Sequence, residues 1–130
     1  MLPHRRPDCG DIPLILATAL LSVVGCDSIE GPVACTSDLR PAVLVSVTDA
    51  RTGEPLIEGV VGVAREGAYV DTLFQVQNRL YGAFERPGLY LLTVDKPGFV
   101  PWRRDDVRVA KDACHVITRN FEAPLSPDPE

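Results

Sequence analysis

The chain has 130 residues, 45% of them hydrophobic and 24% charged, and its formal net charge is −5. Nucleic acid is excluded as the expected partner, because an acidic chain with scattered arginines lacks the clustered basic face that phosphate backbones require. A single folded unit of this size buries a modest fraction of its surface, so a covalent staple is expected to support it.

The first element is an export signal at 1–25. Arg5 and Arg6 supply a positive start, and Ile12 to Val24 form an apolar stretch of roughly a dozen residues before the small pair Val24-Gly25. That stretch is too short to cross a hydrocarbon core, which needs about twenty apolar residues. Leu21-Ser22-Val23-Val24-Gly25-Cys26 resembles a bacterial lipobox. The resemblance implies cleavage after Gly25 and lipidation of Cys26, with diacylglyceryl and palmitate-type acyl chains holding the mature chain stably on a membrane. An ordinary secretory signal, with Cys26 following Gly25 by chance, is the alternative. The expected location is the cell membrane or outer membrane, facing the periplasm or the exterior. Removing 1–25 takes away two arginines and two aspartates, so the mature net charge is unchanged.

The four cysteines sort by position. Cys9 leaves with the signal and Cys26 takes lipid, so Cys35 and Cys114 are left to pair in an oxidising compartment. Neither lies in the Cys-x-x-Cys spacing of a redox enzyme.

Residues 26–40 read as a polar tether containing Gly31, Pro32, Thr36 and Ser37. Val43, Val45 and Val47 then alternate with Leu44, Ser46 and Thr48, the period of a half-buried strand. Asp49 to Pro55 is a turn, in which Gly53 can take positive φ and Pro55 cannot continue a ladder. Val60, Val61 and Val63 precede the break at Gly67, and Tyr69 to Val76 and Leu80 to Phe84 are further strand candidates. Pro87-Gly88 and Lys96-Pro97-Gly98 bracket a strong strand at Leu89 to Val94. Asp106 to Val109 and Cys114 to Phe121 are expected as the closing strands. Pro124 to Glu130, with three prolines, is expected to fray, leaving 126–130 as a disordered tail. No stretch has sustained helical periodicity, and turn signals recur about every ten residues, which points to an all-β sandwich.

Val45-x-Val47-x-Asp49-x-x-Thr52-Gly53-x-Pro55-Leu56, then Gly82-x-Phe84, Pro87-Gly88-x-Tyr90-x-Leu92-x-Val94 and Gly98-Phe99, resemble the carboxypeptidase regulatory-like domain. The resemblance spans 41–125 and implies a single transthyretin-like (prealbumin-like) β-sandwich of about seven strands. It implies little about activity, since such modules serve in many settings. Hydroxyisourate hydrolases, which share part of this pattern, carry a catalytic histidine where Ser46 stands and end in a Tyr-Arg-Gly-Ser tail that is lacking here. The isopeptide bond of collagen-adhesin B-type domains has a possible acceptor in Asn120. It lacks a first-strand lysine, since the lysines are Lys96 and Lys111.

His115 is the one histidine of the mature chain. A metal site would have to recruit Asp112 or Glu122, whereas zinc sites draw on several His or Cys ligands, and no metal or cofactor is expected. Asp105, Asp106 and Asp112 lack the spacing of a calcium loop. A hydroxyl nucleophile would find His115 standing alone, so no catalytic residue is assigned and a non-enzymatic protein is expected. Trp102, Arg103, Arg104, Asp105 and Asp106 read first as a solvated loop. In the functional reading, Trp102 anchors a partner and Arg103 and Arg104 add polar contacts, a composition enriched at interfaces. The expectation is a monomeric, membrane-anchored lipoprotein that offers a protein-interaction module at the cell envelope. A carbohydrate or cell-wall binder is the alternative, and the partner, envelope protein or glycan, is not written in the sequence.

Overall fold

A computed structural model describes residues 34–129. The signal 1–25, with the cleavage position Gly25, the lipidation position Cys26 and the first part of the tether, lies outside the described residues, as does Glu130. Among the described residues there is no helix.

Eight strands form: β1 (Val43–Asp49), β2 (Val61–Glu66), β3 (Tyr69–Thr72), β4 (Phe74–Val76), β5 (Arg79–Gly82), β6 (Gly88–Asp95), β7 (Trp102–Val109) and β8 (Arg119–Leu125). They make two four-stranded sheets, ordered β4-β5-β1-β8 and β3-β2-β6-β7, packed as a β-sandwich. The alternation in β1 sends Val43, Val45 and Val47 fully into the core, each contributing roughly 1.5–3 kcal/mol of burial. Leu80, Phe121, Ala123 and Leu125 join them from the same sheet, and Ala64, Tyr90, Leu92, Val94, Val107 and Val109 face them from the other. β1 pairs antiparallel with β5 and parallel with β8.

There are eight strands rather than about seven because the single strand expected over Tyr69 to Val76 is two. β3 belongs to one sheet and β4 to the other, and the chain changes sheets at Leu73. Its backbone N–H donates to the Gly62 carbonyl at 2.8 Å, and its side chain is buried. Two glycines make room for it. A Cβ on Gly62 would lie 3.0 Å from Leu73 Cδ1, and one on Gly82 would lie 2.2 Å from Leu73 Cδ2. The corner is thus a leucine seated over two positions that have no side chain.

The charge run after Trp102 is not a loop. Trp102 to Asp106 belong to β7, an edge strand paired with β6. The register shifts between Tyr90 and Leu92, and Asp106 opposite takes φ 53°, so β7 carries a bulge. The bulge resets the side-chain parity. Trp102 and Arg104 lie opposite the buried Val94 and Leu92 before it, and Val107 and Val109 turn inward after it. An unbroken period of two from Trp102 would have sent Arg108 into the core instead.

Two further expectations are corrected at the end of the chain. The last strand starts at Arg119 rather than Cys114, and it runs through Pro124, which β8 tolerates as an edge strand. The segment 126–129 is not a frayed tail. Phe99 and Pro127 form a bridge, the Val100 N–H donates to the Ser126 carbonyl at 2.8 Å, and the Asp128 N–H donates to Gly98 at 2.9 Å.

Candidate functional site

Cys35 and Cys114 form a disulfide with their Cα atoms 5.2 Å apart. It ties the segment before β1 to the β7–β8 loop, so the last part of the expected tether is fastened to one pole of the sandwich. Residues 34–40 form no strand, and side-chain contacts hold them in place.

Glu85 is the hub of that pole. Its Oε1 accepts the Arg40 N–H at 2.9 Å and lies 2.6 Å from His115 Nδ1, while Oε2 accepts the Val116 N–H at 3.2 Å. The Glu85 N–H in turn donates to the Arg40 carbonyl at 2.9 Å. One carboxylate therefore joins the segment before β1, the β5–β6 loop and the β7–β8 loop. The Arg40 N–H, with the bonds from His115 and Val116, holds the Glu85 carboxyl below its ordinary range against the opposing effect of desolvation. Glu85 has φ 53° and Ala83 has φ 50°. Two left-handed non-glycine residues cost about 1–3 kcal/mol each and persist where the surroundings over-determine them.

His115 is 7% exposed, and its ring is bonded at both nitrogens. With Nδ1–H donated to Glu85, Nε2 faces Thr36 Oγ1 at 3.0 Å. The order hydroxyl, imidazole, carboxylate is that of a hydrolytic relay, but the Thr36 hydroxyl also bonds Asp38, which competes with His115 for its one proton. The expectation that His115 stands alone is therefore overturned. The charges around the ring nevertheless oppose acyl transfer. Asp38 Oδ1 lies 3.8 Å from Nε2, so a tetrahedral oxyanion forming at Thr36 would meet a carboxylate. Hydrogen bonds from the Thr36 hydroxyl and the Arg40 guanidinium hold the Asp38 carboxyl down to about 2.

Asp112 closes the loop beneath the bridge. Its Oδ1 accepts the N–H groups of His115 and Cys114, both at 2.8 Å, and these bonds hold its carboxyl below the ordinary range. A metal site built from His115 with Asp112 or Glu122 does not assemble: Asp112 is turned to backbone, and Glu122 lies on β8, paired with Ser46 of β1. Among the described residues no group of three or more His, Cys, Asp or Glu is placed to hold a metal ion. An open hollow of about 360 Å³ beside the bridge is lined by Thr36, Arg40, Asp112 and His115, among others.

The residues expected to form an interaction edge lie elsewhere, on β7. Trp102 is half-buried against the core, its ring 6.5 Å from that of Phe121. Arg104 places its guanidinium 5.6 Å above the same Phe121 ring. Arg103 bonds Asp105 along the strand, Nη2 to Oδ1 at 3.0 Å. Trp102 therefore packs as a lid on the sandwich rather than projecting as an anchor.

An apolar surface that the sequence reading missed is on the outer face of the sheet β4-β5-β1-β8, where Leu44 and Tyr81 are half-buried. Phe74, Tyr81 and Leu44 are cross-strand neighbours in one row, Phe74 is 65% exposed, and Val76 stands beside them. Their signal is phase. Leu80 and Gly82 point inward, so Tyr81 points out, and its partner Phe74 follows it.

No model of a known protein family matches this chain, and no curated protein matches it either.

Proposed function

We propose that the protein is a non-catalytic, lipid-anchored envelope protein, and that its β-sandwich, of the carboxypeptidase regulatory-like kind, presents a protein-binding face from a membrane surface. The observation that carries this reading is the outward row Phe74–Tyr81–Leu44 with Val76 beside it. Monomeric domains seldom leave a contiguous aromatic and aliphatic patch in water unless it meets a partner. The patch is framed by Arg79 and Ser46 in the next row and by Asn120 beyond Leu44, the apolar centre and polar rim of a protein interface. The fastening of residues 34–40 supports the tethered half of the reading, because it removes slack between the anchor at Cys26 and the domain. The carboxylates around His115 support a non-catalytic role.

The test is photo-crosslinking in intact cells, with a photoreactive residue placed at 74 and, separately, at 103. Adducts of defined mass from position 74, abolished by Tyr81→Asp, are expected. An absence of protein adducts from both positions would sink the protein-binding reading. Lipidation is checked separately: Cys26→Ser should release the chain from membranes, and unchanged partitioning would reject the anchor.

A further inference from the structure

We infer that the pole carrying the disulfide rests on the bilayer itself, with Leu39, Phe84 and Ile117 as its lipid-contacting tips. This inference depends on the lipid-anchor reading of Cys26. The three residues come from three separate segments and are 72%, 45% and 52% exposed. Each adjoins a residue held at the Glu85 hub, which places the three segments at the same pole. Leu39 precedes Arg40, Phe84 precedes Glu85 itself, and Ile117 follows Val116. The Ile117 N–H is fixed to the Ala110 carbonyl at 2.9 Å, and Thr118 Oγ1 donates to the Pro41 carbonyl at 2.6 Å. The tips are thus large apolar side chains on pinned backbone, which lose little freedom on entering an interface.

The occupant follows from the chain that leads into this pole. Ala34 is joined to Cys26 by a segment whose fully extended reach is about 29 Å. A lipid anchor at Cys26 would hold this pole, more closely than any other part of the domain, beside the headgroups. The acidic groups of the pole are engaged in local hydrogen bonds, although only Asp38 has a cationic side chain, Arg40, as its partner. Glu85 accepts from Arg40, His115 and Val116, Asp112 accepts from two backbone N–H groups, and Asp38 bonds Arg40. Lys111, bridged to Val116, is exposed at the rim and suits anionic headgroups. Side chains of this kind enter the interface to the depth of the headgroup–acyl boundary, and lipidation supplies the standing attachment.

The test uses the mature lipidated chain reconstituted in phosphatidylcholine–phosphatidylglycerol vesicles whose lipids are brominated near the headgroup end. The reporter is Phe84→Trp in a Trp102→Phe background, with Val76→Trp in the same background as the control on the sheet face. The tryptophan at 84 should lose about half its fluorescence, as expected for a ring within ~5–10 Å of the headgroup–acyl boundary, while the one at 76 should be unaffected. Adding Leu39→Glu and Ile117→Glu to the reporter should abolish the quenching without changing co-flotation with vesicles. If both tryptophans stay unquenched while the protein floats, the pole does not touch lipid and the inference is wrong, although the anchor stands. If the chain fails to float and Cys26→Ser behaves identically, the anchor reading fails and the inference falls with it.

Discussion

Replacing both Cys35 and Cys114 with serine should weaken the domain severely without changing its folded form. The bridge closes a loop with a sequence separation of 79. In the chain-entropy model, cross-linking such a loop removes denatured-state freedom worth about 4.5 kcal/mol at room temperature, with measured bridges commonly giving about 2–4 kcal/mol. The native state has little to lose beyond that, because the Arg40–Glu85 pair and the Thr118 bond to Pro41 hold the same segment independently. The expected cost is therefore about 3 kcal/mol, which for a domain of this size lowers the thermal midpoint by roughly 12–24 °C. Urea titration of the oxidised and Cys35→Ser/Cys114→Ser chains, followed through the lone Trp102, measures it. The m-value should rise in the variant, because its unfolded chain is no longer cross-linked. Equal midpoints would refute the entropic account. A native spectrum changed by the substitution would refute the claim that the pole is held without the bridge.

Gly82→Ala should destabilise the sandwich by about 1–3 kcal/mol through overpacking, since its Cβ would meet Leu73 Cδ2 at 2.2 Å and Asp71 Oδ2 at 2.9 Å; adding Leu73→Ala should recover part of the loss in a denaturation cycle. Tyr90→Phe should cost about 1–2 kcal/mol by calorimetry, because the hydroxyl donates to the Arg86 carbonyl at 2.6 Å and accepts from Arg86 Nη1 at 3.0 Å. Acid should unfold the pole through a definite window. Asp38, Glu85, Asp112 and Glu66 all have depressed carboxyls, so their contribution is full above the ordinary carboxylate range and is lost as pH falls through the folded values, reaching about 2 for Asp38. A thermal midpoint that stays flat between pH 5 and pH 2 would contradict this, and Glu85→Gln should flatten the slope in part.

The elements legible in the sequence were those governed by local alternation. Val43, Val45 and Val47 fixed the inward phase of β1, and Tyr90, Leu92 and Val94 that of β6, because one buried face imposes a period of two. The disulfide was legible from the cysteine count together with the expectation of export. What was hidden depended on partners distant in sequence. Leu73 looks like the middle of one strand, and only Gly62 and Gly82, at sequence distances of about ten, explain why the chain changes sheets there. The bulge at Asp106 was masked in the same way, since Asp105-Asp106 reads as solvent-facing charge whether the strand stops or merely shifts phase. The Glu85 hub had no local signal at all. Glu85 sits in an unremarkable turn, and its three partners lie at positions 40, 115 and 116.

The parallel pairing of β1 with β8 explains why so much of the fastening is concentrated at one pole. The register runs from Val43 opposite Arg119 to Asp49 opposite Leu125, so both strands begin at the pole that carries the bridge and end at the other, about 20 Å away at the usual rise per residue. The segment before β1 and the segment after β8 therefore leave from opposite ends of the sandwich. Each is tied where it leaves: the first by Cys35–Cys114 and Glu85, the second by the hydrogen bonds of Val100 and Asp128. β1 lies between β5 and β8 inside its sheet, and peeling it would expose Val43, Val45 and Val47 together. A pull on the chain from the N-terminal side meets the covalent bridge at Cys35 before it reaches the first ladder bond of β1. The bridge thus passes the load to the β7–β8 loop and spares the strand on which the core depends.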